Sequence, residues 1–250
     1  MTNLIKTKQF ILERFKEESG GFGATPLLPA TLEDTYFGTK ALFFSDPIAL
    51  NNLSSKILKY LNNFNENLID PLAFYRIIKI CKFLEKPPPQ HVMEMFINII
   101  QNFNKLISNN KRLFAFWYLS IEFNIQHLKN SILHFLSEAS FKTLEDLYYL
   151  GQINRELWMK YENFIIESQN GDGGFGFYPK TTSYLENTYY AVKMLKEIKR
   201  LKGKIASKVL EFLKGCENSD GGYSRKPGGI SYLETTALAL ESLNILAKSG

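Results

Sequence analysis

The chain has 250 residues, with 30 basic and 25 acidic side chains and a formal net charge of +5. With 45% hydrophobic and 22% charged residues, it has the composition of a globular protein and not of a disordered one. No apolar run reaches the roughly 18 residues of a membrane helix, and residues 1–18 lack the apolar centre of a signal peptide, so we expect no transmembrane segment. The two cysteines form no CxxC pair and the basic surplus is spread along the chain, so we expect a cytoplasmic protein that does not bind nucleic acid.

The first predicted element is a helix around Leu4–Arg14, and a long glycine-free stretch lies further along the chain. None of the 16 glycines falls between Thr39 and Leu150. A sheet-rich fold would need tight turns within such a length of chain, whereas helices joined by polar turns do not. The pattern therefore favours an all-helical protein.

Eleven of the 16 glycines fall in three segments that are copies of one another. The copies start with the glycine pairs at Gly20, Gly173 and Gly221, and in each a Leu-Glu pair follows the first glycine by 12 positions and a proline follows it by six. Three such matches define a repeat. Because asparagine and aspartate precede the second and third pairs, we expect turn conformations closed to residues with a Cβ. We also expect Phe175 and Tyr223 to plug the space between neighbouring hairpins.

The middle of the chain holds weaker copies that keep the same anchor position. Six helices are predicted to begin near residues 32, 68, 110, 144, 185 and 233, with a second helical pattern between anchors, as in Leu50–Leu61 and Ile205–Leu213. Each unit is then a helical hairpin, and with the N-terminal helix the chain has twelve helices in six pairs. Such pairs stack into an open solenoid or close into a ring, and six pairs suit closure.

The second copy carries a specific resemblance. Its pattern GGFGxxPxxxxxLExTYxAVxxL resembles the repeat of the terpenoid cyclase and protein prenyltransferase β-subunit superfamily, and Gln169-x3-Gly173-x-Phe175 resembles the glutamine–aromatic turn of squalene cyclases. The resemblance implies an all-α fold, an α/α toroid of six inner and six outer helices, with residues 1–250 forming a single domain. It also implies an isoprenoid ligand in a central cavity.

Protein prenyltransferases of this superfamily hold a zinc ion with Asp and Cys at the start of one inner helix and with His at another. The resemblance places Glu186 at the Asp position, Thr188 at the Cys position and Thr235 at the His position. Zinc takes about four Cys, His or carboxylate ligands, and threonine does not replace them. We therefore predict no zinc site of this type, and magnesium only as a companion of a diphosphate substrate. The histidines are expected to be surface or partly buried polar residues: His91, His127 and His134.

Class II cyclases instead protonate an alkene or epoxide with a carboxylic acid from a DxDD-like motif at the start of an inner helix. The corresponding positions give four candidate catalytic residues: Glu33, Asp34, Glu186 and Glu234. None of the three sites reproduces DxDD, and only Glu33 and Asp34 are adjacent, as an acid with a neighbouring partner requires.

Helix capping is an alternative explanation for these carboxylates. Ser183 with Glu186 and Ser231 with Glu234 match the capping-box pattern, and an acidic side chain in a first helical turn also complements the helix dipole. Thr31 precedes Asp34 by three positions as a looser cap. A cap needs no catalysis to explain it.

A diphosphate would need cations and free N–H groups beside an apolar hollow. The resemblance places Lys180 at the basic position that precedes the Asp in prenyltransferases and Tyr189 at the tyrosine that follows the zinc Cys. Arg225 and Lys226 occupy the equivalent loop of the last repeat, and these four residues are the candidates for a polar mouth that binds the diphosphate. Tyr36 and Trp117 belong to a larger set of aromatic residues on the predicted inner helices, and we expect this set to line the hollow. Solvated loop charges and ordinary helix packing are the alternatives.

The sequence thus predicts a prenyltransferase- or terpene-cyclase-like toroid that binds an isoprenoid, in the form of its diphosphate. As an enzyme we expect a transferase first and a terpene cyclase second. The alternatives are a non-catalytic isoprenoid-binding or scaffold toroid, and a β-like subunit that needs a separate helical partner.

Overall fold

Helices account for nearly all regular structure in the residues that the computed structural model describes, which are 4–64, 70–100 and 103–248. In chain order they are α1 (Leu4–Leu12), α2 (Leu32–Ser45), α3 (Pro47–Asn62), α4 (Pro71–Phe83), α5 (Gln90–Ile100), α6 (Phe103–Leu106), α7 (Asn110–Glu122), α8 (Gln126–Glu138), α9 (Leu144–Ile153), α10 (Glu156–Lys160), α11 (Glu162–Glu167), α12 (Leu185–Glu197), α13 (Gly203–Cys216) and α14 (Leu233–Ala247). Two short strands, β1 (Tyr223–Ser224) and β2 (Ser231–Tyr232), pair antiparallel in the last glycine-rich loop.

Six of these helices form a closed inner ring. α2, α4, α7, α9, α12 and α14 each pack against the next, and α14 packs against α2. Outer helices cover them: α1 and α3 lie against α2, α5 against α4, α8 against α7, α10 against α9, and α13 against both α12 and α14. The prediction of an all-α, α/α toroid is therefore confirmed, and the open solenoid is excluded.

Two details of the predicted layout were wrong. The described residues contain fourteen helices and not twelve, because the outer layer is divided; at Tyr161, for example, φ of −110° and ψ of 27° separate α10 from α11. The second inner helix begins at Pro71 and not near residue 68, which lies outside the described residues. Asp70 caps α4 by accepting a hydrogen bond from Leu72 N at 3.1 Å, and Pro71 occupies the first helical position that proline favours.

The capping alternative is confirmed at one predicted position. Thr31 Oγ1 accepts a hydrogen bond from Asp34 N at 3.0 Å and donates to its carboxylate at 2.6 Å. The capping boxes at Ser183 and Ser231 were wrong, because α12 and α14 begin one residue later than that pattern requires and have no side-chain cap. The two serine hydroxyls donate instead to the loop carboxylates of Asp172 and Asp220, at 2.8 Å each: Ser183 to Asp172, Ser231 to Asp220.

The glycine-rich loops join the outer layer into a ring. The first glycine of each copy has a positive φ, +82° at Gly20, +91° at Gly173 and +86° at Gly221. A Cβ at these positions would overlap the backbone of Lys56 on α3, Lys208 on α13 and Lys6 on α1, respectively. Each loop thus packs directly on the next outer helix, and the last loop packs on the first helix of the chain.

An aromatic residue follows each glycine pair and is almost completely buried, as predicted for the second and third copies. Phe22 and Phe175 are 0% exposed and Tyr223 is 1% exposed. The backbone N–H of each donates to a threonine hydroxyl on the inner helix that follows, at 2.9–3.0 Å: Phe22 to Thr35, Phe175 to Thr188, Tyr223 to Thr236. These contacts fix each loop against the start of its inner helix.

Other side chains agree with ordinary structural roles. Cys81 and Cys216 are buried free thiols, and burial raises the pKa of Cys81 to about 11. His127 and His134 are exposed on α8. Within the described ranges, none of the helices combines the length and the apolar character that crossing a bilayer would demand.

Candidate functional site

The inner helices turn equivalent side chains toward the axis of the ring. Counted from the first residue of each inner helix, positions +1, +4 and +8 lie on one helical face, and together they line three successive cavities. The +1 side chains of α7, α9, α12 and α14 line one cavity, and the +8 side chains of all six inner helices line another, so the inner helices run in the same direction along the axis. We call the three cavities the N-terminal mouth, the waist and the C-terminal hollow.

The N-terminal mouth is a polar cavity of about 370 Å³. It is lined by Lys111, Glu145, Phe177, Tyr184, Glu186, Asn187, Tyr190, Arg225, Tyr232, Glu234 and Thr235. Arg225 Nε lies 2.5 Å from Glu186 Oε1, and the Tyr190 hydroxyl donates to Glu145 Oε1 at 3.1 Å. The other carboxylate oxygen of Glu186 and the side-chain nitrogen of Asn187 are buried without a hydrogen-bond partner.

Glu234 differs from the other carboxylates of the mouth. It forms no hydrogen bond or ion pair within the described residues, and it borders the waist as well as the mouth. Burial, with a smaller contribution from the nearby Glu186, raises the pKa of Glu234. Glu234 is therefore a weaker acid than an exposed glutamate, and it lies at the inner edge of the mouth.

The waist is a narrow passage of about 60 Å³ surrounded by aromatic rings. It is lined by Tyr36, Phe37, Lys40, Leu72, Tyr75, Arg76, Lys111, Phe114, Tyr148, Tyr149, Tyr189, Tyr190, Glu234 and Leu238. Rings on neighbouring helices touch in succession, with centroids 6.3 Å apart for Tyr36–Tyr75, and 5.5 Å apart for both Tyr75–Phe114 and Phe114–Tyr149. Burial raises the pKa of Tyr75 and Tyr189 well above the ordinary value, so these phenols stay neutral.

The C-terminal hollow is larger, about 470 Å³, and combines aromatic and basic side chains. It is lined by Tyr36, Lys40, Phe44, Tyr75, Lys79, Lys82, Phe83, Phe114, Trp117, Tyr118, Ile121, Glu122, Tyr148, Gln152, Tyr189, Lys193 and Glu241. The Glu241 carboxylate forms ion pairs with two lysines: one oxygen lies 2.7 Å from Lys40 Nζ and the other lies 2.8 Å from Lys193 Nζ. We call these three residues the Glu241 cluster. Lys82 Nζ lies 2.6 Å from a Glu122 carboxylate oxygen.

The Glu241 cluster is the most buried set of charges in the described chain. The Lys40 side chain is 5% exposed and that of Glu241 is 12% exposed. Burial acts to raise the pKa of Glu241, but the ammonium groups of Lys40 and Lys193 outweigh it and lower the pKa to about 2. Lys40 Nζ also lies 4.6 Å from the centre of the Tyr189 ring, so this cation is held by charge and by a π face.

Lys79 is the fourth lysine of the hollow and has no such partner. It forms no hydrogen bond or ion pair within the described residues, and its ammonium lies 5.3 Å from the Phe83 ring centre and 5.6 Å from the Tyr118 ring centre. Burial, followed by the positive charge of Lys40, lowers the pKa of Lys79 to about 8.

The candidate residues from the sequence are divided among these cavities. Tyr36, Tyr189 and Trp117 line the C-terminal hollow. Glu186, Glu234 and Arg225 come together at the N-terminal mouth. These two acidic candidates and Arg225 thus lie at the mouth, and the aromatic candidates lie deeper along the axis, where Tyr36 and Tyr189 share the waist with Glu234.

Four candidates lie apart from the mouth. Glu33 is exposed and pairs with Arg76. Asp34 serves the cap of α2, and its pKa is raised by burial, although the hydrogen bond from Thr31 opposes the rise. Lys180 and Lys226 are exposed loop residues that do not line the mouth.

Comparison with known proteins identifies the family of this chain and a solved structure with a similar fold. The family model of the prenyltransferase alpha-alpha toroid domain matches residues 2–71 and 111–249. The chain belongs to this toroid family. A structure of a variant of the type II terpene cyclase MstE from Scytonema, in complex with geranylgeranyl dihydroxybenzoate, matches 99% of this chain and 97% of that chain, with a TM-score of 0.65 and 9% identity. At that identity the similarity shows the fold, and no curated protein sequence matches the chain.

The two threonines at the positions that the resemblance to protein prenyltransferases assigns to zinc ligands both have backbone hydrogen-bond partners. The Thr188 hydroxyl donates to Tyr184 O at 2.9 Å and accepts from Phe175 N at 3.0 Å, and the Thr235 hydroxyl lies 2.5 Å from Tyr223 O. Both hydroxyls are thus engaged by the backbone. In the described ranges, moreover, no three His, Cys, Asp or Glu side chains are placed to hold a metal together.

Sequence reasoning missed the basic set at the other end of the toroid. Lys40, Lys193 and Glu241 stand eight positions after the first residue of α2, α12 and α14, and Lys79 stands eight after the first residue of α4. Glu145, at +1 of α9, was also missed. The signal that could have revealed these residues is the register of the repeat, because positions +1 and +8 carry charged residues in most copies.

Proposed function

We propose that this toroid binds an isoprenoid, with the hydrocarbon chain in the C-terminal hollow and its end against the waist. The observation that carries the proposal is the hollow of about 470 Å³ inside the ring, with nine aromatic side chains in its wall. Small-molecule sites usually measure about 300–1,000 Å³ and are mostly apolar with a few polar groups. The waist, at about 60 Å³, is too narrow to hold such a chain alone.

The structural neighbour supports the ligand class. That terpene cyclase was captured with geranylgeranyl dihydroxybenzoate, an isoprenoid joined to a polar ring. For this chain we propose a prenyl diphosphate, with magnesium as a companion of the diphosphate and not as a resident metal.

Prenyl ligands should quench the fluorescence of Trp117, one of two tryptophans in the chain, because its ring lines the hollow. Calorimetry with farnesyl and geranylgeranyl diphosphate, with and without magnesium, should show saturable binding. Trp117→Phe should remove most of the fluorescence change and keep the binding heat. Trp158→Phe is the matched control, because Trp158 is 1% exposed and does not line the hollow, and it should keep the change. No saturable binding of any prenyl compound would contradict the proposal.

Of the two predicted activities, cyclisation has the more specific support. A protonating acid must be neutral, must face the substrate and must be close to groups that stabilise a carbocation. Glu234 has a raised pKa and borders the tyrosine-lined waist. Its proton would add to an alkene carbon, which leaves the Glu234 carboxylate and a carbocation that the π faces of Tyr36 and Tyr189 stabilise. Loss of a proton from the product cation to the Glu234 carboxylate would restore the acid and complete the cycle; if water takes that proton, Glu234 regains one from the solvent.

Glu234→Gln should abolish cyclised product while prenyl binding is retained, because glutamine keeps the shape and has no acidic proton. Products from polyprenyl substrates would be identified by gas chromatography and mass spectrometry. Activity of the unchanged chain should fall as pH rises through the raised pKa of Glu234, since only the protonated form donates. Glu145→Gln is the control, because Glu145 already accepts a hydrogen bond from Tyr190. Product formation that survives Glu234→Gln would exclude this role, and binding without product would favour a non-catalytic toroid.

A helical partner subunit remains part of the proposal as an alternative. Phe177 and Tyr232 line the N-terminal mouth and are still 37% and 44% exposed, and Tyr178 and Ile230, which belong to the same two glycine-rich loops, are 50% and 70% exposed. Exposed apolar groups in one region are typical of an interaction surface. A partner would bind there.

A further inference from the structure

The two ends of the toroid differ in charge. The C-terminal hollow is lined by four lysines and two glutamates, a surplus of two positive charges. The N-terminal mouth is lined by three glutamates against one lysine and one arginine. An anion inside the ring is therefore attracted to the hollow and not to the mouth.

Within the hollow, three of the four cations already have a carboxylate. Lys40 and Lys193 share Glu241, and Lys82 pairs with Glu122. Lys79 has aromatic rings around it and forms no ion pair among the described residues, although the Glu241 carboxylate, which is held by Lys40 and Lys193, acts on it from a distance. A partly buried ammonium that forms no ion pair is costly, and a bound anion would reduce that cost.

Stabilisation by the helix dipole explains the position of Lys82 but not that of Lys79. A cation is stabilised by the carbonyl end of a helix only within the last turn. Lys82 stands in the last turn of α4, next to the final residue Phe83. Lys79 lies one turn earlier and faces the hollow, so the end of α4 does not explain its position.

We propose that Lys79, supported by the positive field of Lys40 and Lys193, binds the anionic head group of the isoprenoid at the C-terminal hollow. This inference rests on the proposed function and reverses the direction that the sequence predicted. The ligand would enter from the C-terminal ends of the inner helices, with its head group at Lys79 and its chain directed toward the waist. A phosphate or diphosphate head group has the charge and the acceptor oxygens for this site.

The predicted diphosphate residues at the opposite end are less suited to that task. Arg225 is held by Glu186, and Lys180 and Lys226 are exposed outside the mouth. A diphosphate there would also meet the carboxylates of Glu145 and Glu186, which repel it.

Calorimetry with two ligands of the same chain tests the head-group site. Lys79→Met should weaken farnesyl diphosphate binding by about tenfold or more, the loss expected for one charge-assisted hydrogen bond, and should leave farnesol binding unchanged. Arg225→Gln is the matched control at the other end and should change neither affinity. Competition by inorganic diphosphate distinguishes a site for the free anion from one that needs the chain.

The affinity for farnesyl diphosphate should also fall between about pH 7 and pH 9, because Lys79 loses its proton in that range. Lys79→Arg keeps the charge and should remove the pH dependence. The charged or titratable groups around Lys79 are Lys40 on α2, Lys82 on α4, Tyr118 and Glu122 on α7, Lys193 on α12 and Glu241 on α14. Since Lys79 forms no hydrogen bond or ion pair in the described chain, Lys79→Arg should keep the melting temperature, and Lys79→Met should keep or raise it because it removes a partly buried charge, which would show that both variants fold.

The outcomes separate the inference from the proposed function. If no prenyl compound binds the unchanged chain, the proposed function fails. If farnesol and farnesyl diphosphate bind but Lys79→Met changes neither affinity, the head-group site is wrong and isoprenoid binding stands. If Arg225→Gln weakens diphosphate binding instead, the head group lies at the N-terminal mouth.

Discussion

Glu241→Gln should lower the free energy of unfolding by about 3–5 kcal/mol at pH 7, the loss expected when one partner of a buried ion pair is removed. The substitution leaves the 5% exposed Lys40 side chain without its carboxylate, and it also removes the partner of Lys193. Urea unfolding followed by circular dichroism would measure the loss. Glu17→Gln is the control, because Glu17 pairs with Lys56 on the surface, and it should cost no more than about 1 kcal/mol.

The pH dependence of the same variant gives an independent check. The folded pKa of Glu241 is lowered to about 2, below the ordinary value of 4.5. A lowered folded pKa stabilises the protein fully above the unfolded value, and this stabilisation is lost as pH falls through the folded value. The difference in stability between the unchanged chain and Glu241→Gln should therefore be constant above about pH 5 and shrink between about pH 4.5 and pH 2. A difference that stays constant down to pH 3 would contradict the assigned ion cluster.

The fold could be predicted because the repeat is defined by features that are short-range in the sequence. Glycine pairs, the Leu-Glu anchors and helical periodicity are all short-range features, and five of the six predicted inner-helix starts coincide with observed ones. The exception is α4, where the anchor is degenerate. There the start is set by Asp70 and Pro71, a cap followed by a proline, which is itself a local signal for a helix start.

The capping errors have a different origin. Ser183 and Glu186 match the spacing of a capping box, but Ser183 bonds to Asp172 in the loop. Both arrangements satisfy a serine hydroxyl, and the sequence spacing is compatible with either. Which one forms depends on where the glycine-rich loop packs, and this is set by contacts with another outer helix.

The basic hollow could not be predicted from local pattern because its members are charged residues within helices. A lysine among apolar residues, such as Lys40, is normally assigned to the solvent face of a helix. Only closure of the ring turns that face inward. Lys40 and Glu241 are 201 positions apart in the sequence and become partners because α14 packs on α2. The aromatic candidates were easier to predict, because tyrosines at helical spacing suit a core and a cavity wall alike.

Gly221→Ala should lower the free energy of unfolding by about 3 kcal/mol or more, because it combines backbone strain with overlap. Gly221 has φ of +86°, and a Cβ there would overlap the backbone of Lys6 and Thr7 on α1. Gly228→Ala separates the two causes, since Gly228 has φ of +78° with open space around it. It should cost only about 1–2 kcal/mol, the strain of a left-handed conformation.

The helix in which hydrogen exchange rises would show whether the glycine-rich loop of the last repeat closes the outer ring. Hydrogen exchange should rise in α1 for Gly221→Ala, because the loop of the last repeat would separate from the first helix of the chain. Gly173→Ala carries the same kind of strain, with φ of +91°, but overlaps Lys208 on α13, so exchange should rise in α13 and not in α1. Equal losses of stability for the Gly221 and Gly228 variants, or unchanged exchange in α1, would mean that α1 does not depend on this contact. The closed inner ring would then rest on the packing of α14 against α2 alone.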